Sequence, residues 1–129
     1  MKNIVLIGIM GCGKTTLSRM LGEKLNRPVI DIDEYIVEKY HQTIPEMFEV
    51  SETYFRNNET AGCKDVSDLN GHIISTGGGV VLRPENIKYL TQNGIIIYID
   101  RPIDNILTDV QVTSRPLLKA VSYTHLRAH

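Results

Sequence analysis

Residues 3–21 read NIVLIGIMGCGKTTLSRML, an apolar run, a glycine loop and a helical pattern placed end to end. Asn3 to Ile7 has no apolar–polar alternation, so it reads as a strand buried on both faces. Leu17, Met20, Leu21 and Leu25 recur at helical spacing, which predicts a helix over Lys14 to Leu25. Between the two, Gly8, Gly13, Lys14 and Thr15 match G-x-x-x-x-G-K-[ST]. A strand that turns through glycine straight into a helix must return to a neighbouring parallel strand, which restricts the fold more than any other feature of the chain.

The loop also has a chemical meaning. Its glycines let the backbone wrap closely and turn N–H groups inward onto phosphate oxygens. The helix that follows adds its positive end. Lys14 reaches the β- and γ-phosphates, and the Thr15 hydroxyl is a ligand for Mg²⁺. The loop therefore points to a nucleoside triphosphate with magnesium. Cys12 lies inside it, either as a small residue that the loop tolerates or as a thiol whose modification would block the ligand.

The rest of the chain continues the alternation. Pro28 ends the first helix, and PVIDID gives a short second strand ending at Asp31. Residues 33–40 read as helix, Thr43 and Glu46 have capping-box spacing, and Ser51 can cap a helix carrying Phe55, Arg56 and Glu59. His72 to Ser75 is a third strand that runs into Gly77, Gly78 and Gly79. Pro84 opens a helix that Asn93-Gly94 closes, and Ile95 to Ile99 is a fourth strand. Asp100 and Pro102 start one more helix, through Ile106, Leu107 and Val110. Strands alternating with helices give an α/β three-layer sandwich with a parallel sheet.

Composition narrows the function. The 129 residues suit one domain. A formal net charge of −1 provides no basic field for nucleic acid, and no apolar run approaches the about 20 residues of a membrane span. Cys12 and Cys63 fit no metal or redox spacing and read as reduced cytosolic thiols.

Phosphate-loop proteins commonly carry a metal-binding aspartate at the end of the third strand. Here that strand ends Ser75-Thr76-Gly77, without an acid. The acids follow the second strand instead, as Asp31 and Asp33. In a parallel sheet that strand end lies at the edge where ligands bind. One carboxylate can hold magnesium's waters while the other meets a substrate hydroxyl. From the turn alone, Asp33 is equally well a helix cap.

Taken in order, the phosphate loop, DIDEYIVEKY, IPEMF, SETYFRNNET, ISTGGGVV and SRPLL resemble the shikimate kinases over about residues 3–118. The loop by itself marks only a superfamily; D-x-D with F-R-x-x-E, G-G-G and R-P-L-L is specific. The resemblance implies phosphoryl transfer from ATP to the 3-hydroxyl of shikimate, in aromatic amino acid biosynthesis, by a cytoplasmic monomer. It also implies a strand order of 2-3-1-4. ATP would be held by Gly11, Cys12, Gly13, Lys14, Thr15, Thr16 and Arg115, with Arg115 in a mobile lid. Lys14, Asp33 and Arg115 would be the catalytic set, Asp33 as the base. Asp33, Arg56, Gly77, Gly78 and Gly79 would bind shikimate, and Thr15 with Asp31, through water, would bind Mg²⁺. Read without the resemblance, Arg56 is as well a surface arginine paired with Glu59, the triple glycine a flexible loop, and Arg115 a solvated loop residue.

The chain departs from the family pattern in places. Ser51 stands where the family usually has glycine, and residues 103–113 hold no arginine to stack on adenine. After RPLL the family continues with further helices, a fifth strand and a second carboxylate-binding arginine. KAVSYTHLRAH, residues 119–129, matches none of this, and Arg127 lies in unrelated surroundings. The expectation is an incomplete domain over 1–118 with an unmatched tail over 119–129, of low stability and weak activity by itself. Competing readings are another small phosphate-loop kinase, acting on gluconate or a nucleoside monophosphate, and an inactive nucleotide-binding fragment.

Overall fold

A computed structural model describes residues 1–8 and 14–99 of the chain. Strand β1 (Asn3–Gly8) lies inside a four-stranded sheet of order β2-β3-β1-β4, the order the resemblance implies. It pairs in parallel with β3 (Ile73–Ser75) on one side and with β4 (Gly94–Ile99) on the other. Strand β2 (Val29–Asp31) pairs in parallel with β3. Helix α1 (Lys14–Leu25) connects β1 to β2; α2 (Ile32–Tyr40), α3 (Ile44–Val50) and α4 (Glu52–Val66) connect β2 to β3; α5 (Pro84–Thr91) precedes β4.

Apolar side chains on both faces of the sheet explain why its strands show no alternation. On one face Leu6, Ile73, Ile97 and Ile99 pack with Leu17 and Leu21 of α1. On the other, Val5, Ile7, Ile74 and Ile96 pack with Ile32 and Ile36 of α2, Met47 of α3, Phe55, Cys63 and Val66 of α4, and Leu90 of α5. Each such side chain removed from water contributes about 1.5–3 kcal/mol, and the helices on both faces make the three expected layers.

The caps follow the sequence closely. Thr43 accepts the Glu46 N–H while the Glu46 carboxylate accepts the Thr43 N–H at 2.8 Å, a complete capping box for α3. That second bond, with the Thr43 hydroxyl, holds the Glu46 carboxyl below its ordinary value. Ser51 accepts the Tyr54 N–H at 2.9 Å and caps α4. Asp31 accepts the Glu34 N–H at 3.1 Å, so the cap of α2 is Asp31, and Asp33 lies two residues further on, in the first turn of the helix. Helix α2 then meets α4 through Asp65, which accepts from the Tyr35 hydroxyl at 2.7 Å and from Lys39 at 2.5 Å. Partial burial pushes the Asp65 carboxyl up, but those two partners outweigh it and hold it below the ordinary value.

Two local features differ from the sequence reading. A 3₁₀ turn (Val80–Leu82) stands between the triple glycine and α5. Asn93-Gly94 does not close α5 through a left-handed glycine: the helix ends at Thr91 with Gln92 as its cap, and Gly94 begins β4, paired with Asn3. A Cβ at Gly94 would sit 3.0 Å from Val5 Cγ2 and closer still to the Leu90 carbonyl oxygen. The glycine is there for close packing rather than for its dihedral freedom. The helix expected from Asp100 lies outside the described residues.

Candidate active site

Three parallel strands end at the same edge of the sheet. β1 ends at Gly8, β2 at Asp31 and β3 at Ser75, with Leu6 and Asp31 both in register with Ser75. Ser75 is buried and carries no charge, and the carboxylate lies one strand further over, on Asp31. Beyond β3, Thr76 donates its hydroxyl to the Leu6 carbonyl at 2.8 Å, which fixes the start of the glycine turn to the end of β1.

From this edge the side chains converge. Asp33 is half-buried in the first turn of α2. A Cβ at Gly77 would lie 3.0 and 3.1 Å from its two carboxylate oxygens. Arg56 projects from α4, and a Cβ at Gly79 would lie 2.7 Å from its Cζ and Nη2. The glycine turn is thus fitted against the very groups that the sequence singles out. Gly79 has φ −92° and ψ 6°, open to any residue, so side-chain room and not backbone freedom requires glycine there. Gly78, between them, is exposed.

The surroundings of Arg56 hold its guanidinium in place. Phe48 and Phe55 stack with ring centroids 4.7 Å apart, and Arg56 Cζ lies 5.1 Å from the Phe55 centroid and 5.9 Å from that of Phe48. Arg56 Nη1 donates to Glu59 Oε1 at 3.0 Å, with the two side chains 16% and 1% exposed. Glu59 is buried and Arg56 largely so, unlike the surface pair that the i,i+3 spacing also allows. Arg56 Nε is buried with no hydrogen-bond partner among the described residues. Burial pushes the Glu59 carboxyl above its ordinary value, and the Arg56 guanidinium opposes that shift. The same burial, with the charges of Glu59 and Asp33 nearby, raises the Cys63 thiol to about 12, so Cys63 stays protonated and inert at neutral pH.

Lys14 and Thr15 are the first two residues of α1. Thr16 is exposed in the same turn. Gly11, Cys12, Gly13 and Arg115 lie outside the described residues. Among the described residues no cluster of three or more His, Cys, Asp or Glu is arranged to hold a metal ion, and no helix is long and apolar enough to cross a membrane.

The sequence profile of the shikimate kinase family matches residues 10–128. The chain belongs to the shikimate kinase family. A shikimate kinase of Clostridium beijerinckii is 48% identical over 120 residues, which are 92% of this chain and 71% of that protein. One from Caldicellulosiruptor bescii is 47% identical over 121 residues, 92% of this chain and 70% of the relative. Among solved structures, a shikimate kinase from Acinetobacter baumannii in complex with shikimate superposes with a TM-score of 0.76 at 31% identity, covering 98% of this chain and 79% of the other. The chain is thus a kinase of the phosphate-loop type in sequence and in fold.

Sequence reasoning passed over two residues of this shikimate kinase fold. Arg83 donates to Asn57 Oδ1 at 2.9 Å and to Thr60 Oγ1 at 3.3 Å, both on α4. Asn86 is buried and donates to the Val80 carbonyl at 3.0 Å, bracing the 3₁₀ turn. Neither belongs to a motif, and only the tertiary contacts mark them.

Proposed function

We propose that this chain transfers the γ-phosphoryl group of ATP to the 3-hydroxyl of shikimate, as a cytoplasmic monomer serving aromatic amino acid biosynthesis. One observation carries the reading: the Asp33 carboxylate and the Arg56 guanidinium lie against Gly77 and Gly79 of one turn, on either side of the exposed Gly78. A small ring bearing a carboxylate at one end and hydroxyls at the other suits that spacing of charges.

Arg56 holds the substrate carboxylate. Its Nη1 is committed to Glu59, and the Nε side of its fork has no partner among the described residues to compete for the anion. Glu59 and the Phe48–Phe55 stack keep the guanidinium from swinging out. Asp33 accepts the hydroxyl proton as the oxygen attacks phosphorus, a contribution of roughly 10²–10⁴-fold where the transition state needs a base. Lys14 and Arg115 would neutralise charge on the β- and γ-phosphates, and the backbone of residues 11–16 would cradle them.

The residues present fit a magnesium ion. The Asp31 carboxylate is half-buried at the strand edge and uses one oxygen on the Glu34 N–H, which leaves its other oxygen for a metal-bound water. Thr15 stands at the head of α1, where the motif places a hydroxyl ligand. Bound there, the ion would offset charge on the phosphate oxygens.

The test is ADP release measured with shikimate, gluconate and nucleoside monophosphates in parallel, on the parent and on Asp33→Asn and Arg56→Lys. Shikimate alone should support turnover. Asp33→Asn should lower turnover by roughly 10²-fold or more with ATP affinity retained. Arg56→Lys should weaken shikimate binding, because lysine cannot present a planar fork. Turnover with gluconate or a nucleotide in place of shikimate would overturn the assignment.

A further inference from the structure

The segment that forms one wall of the site, Gly77 to Leu82, leaves β3 and is anchored in the core by Val80, which is fully buried in the cluster that includes Phe55 and Cys63 of α4. Inside the turn, Val80 N–H donates to the Gly77 carbonyl at 3.3 Å and Leu82 N–H to the Gly79 carbonyl at 3.0 Å. Asn86 of α5 holds the Val80 carbonyl from beneath. Val81 and Leu82 are exposed, so little apolar burial anchors that part of the turn. At the far end of the turn, Arg83 adds a hydrogen-bonded tie to the helix that carries Arg56. Its Nη1 reaches Asn57 Oδ1 at 2.9 Å and Thr60 Oγ1 at 3.3 Å. Asn57 directly follows Arg56 in the chain and Thr60 directly follows Glu59, so Arg83 grips α4 along the same turn that presents the Arg56–Glu59 pair.

This geometry matters because Gly79 and the Arg56 guanidinium are in direct contact. Where the turn sits decides where the guanidinium can sit. The charge of Arg83 also helps to hold down the Glu59 carboxyl that burial pushes up, which favours the ionised partner of Arg56.

We infer that Arg83 is a positioning residue for the substrate carboxylate: by docking the Gly77–Leu82 turn onto α4 at Asn57 and Thr60, it holds Gly79 against Arg56 and so sets the affinity for shikimate without touching shikimate or ATP. The inference rests on the proposed function for its ligand, while the docking itself can be tested without any ligand.

Two measurements on the whole chain decide it. In equilibrium titration, Arg83→Gln should weaken shikimate binding by roughly three- to tenfold, the loss expected when charged hydrogen bonds are replaced by weaker ones. ATP affinity should stay within about twofold, because uniform loss is not expected from a wall that faces one substrate. Arg83→Lys, which retains the charge and a donor, should recover most of the loss. The double variant Asn57→Ala/Thr60→Val removes the acceptors and leaves Arg83 intact, and it should reproduce Arg83→Gln. In native-state hydrogen exchange without ligand, Arg83→Gln should speed the amides of Val80 and Leu82 while those of β1 stay protected. Unchanged shikimate affinity in both the Arg83→Gln and the double variant overturns the inference, as does a loss of ATP and shikimate binding in equal measure. A parent that binds no shikimate overturns the proposed function, and unchanged exchange at Val80 and Leu82 overturns the docking independently.

Discussion

At the scale of single residues, the glycines separate two kinds of requirement. The obstacle to a Cβ at Gly79 is the guanidinium of Arg56, whereas at Gly94 it is the Leu90 backbone together with Val5. Gly79→Ala should therefore weaken shikimate binding by roughly tenfold or more as the guanidinium is displaced. Gly94→Ala should instead cost about 1–3 kcal/mol, since packed backbone must shift. Urea midpoints and shikimate titrations on the two variants would show this crossover, and equal losses in both assays would contradict it. Glu59 gives a second residue-scale prediction. Its carboxyl is raised in the folded chain, chiefly by burial. Its contribution to stability is therefore fully present below the ordinary value of 4.5 and is lost as pH rises through the shifted value. Glu59→Gln keeps an acceptor for Arg56 and cannot ionise. The stability difference between variant and parent should move in favour of Glu59→Gln as pH rises from 4.5; urea midpoints at several pH values would check it, and a pH-independent difference would contradict it.

At the scale of elements, the site depends on helices that begin where their caps say. Thr43 and Ser51 start α3 and α4, and α4 carries both members of the Arg56–Glu59 pair. Thr43→Ala should cost about 0.5–2 kcal/mol, the usual range for a lost cap. Part of that loss should fade in acid, because the Glu46 half of the box is held below its ordinary value by Thr43 and its stabilisation disappears as pH falls. Ser51→Gly, the residue usual in the family, should cost only a few tenths of a kcal/mol, because glycine is itself a tolerable cap. Ser51 has φ −178°, extended backbone that serine and glycine adopt alike, so the departure from the family pattern carries little strain. Thermal or urea unfolding of the two variants would order them, Thr43→Ala the more harmful.

At the scale of the whole molecule, the proposed substrate site spans elements far apart in sequence. Asp33 comes from α2, Arg56 from α4 and Gly77 to Gly79 from the end of β3. A ligand seated across them should stabilise the folded chain by linkage, about 2.7 kcal/mol at a concentration of 100 times Kd. Shikimate should therefore raise the urea midpoint of the parent, and should raise that of Arg56→Lys far less at the same concentration. This readout needs no turnover, so it separates binding from catalysis. No shift in the parent at saturating shikimate would contradict the placement of the site.

The sequence by itself determined the elements and the chemistry of their ends. Apolar strands without alternation, helix caps such as Thr43 and Ser51, and the spacing of the phosphate loop are local signals, and each is read within a few residues. The strand order followed from the resemblance, and short motifs singled out Asp33, Arg56 and Gly77 to Gly79, which the fold brings to one turn. Only the tertiary structure decided which aspartate caps α2, since Asp31 and Asp33 offer the same carboxylate and the backbone direction at the strand end selects between them. Only it showed that Glu59 is buried, which turns an ordinary i,i+3 pair into a fixed guanidinium. Gly94 looked like a helix terminator because Asn-Gly is a turn signal, but the approach of Val5 and Leu90 made it a packing residue within a strand. Arg83 carries no motif at all: its meaning arises where α4 passes the turn after β3, between residues 23 and 26 positions apart. Contacts of that range are set by how the layers pack, and no local pattern records them.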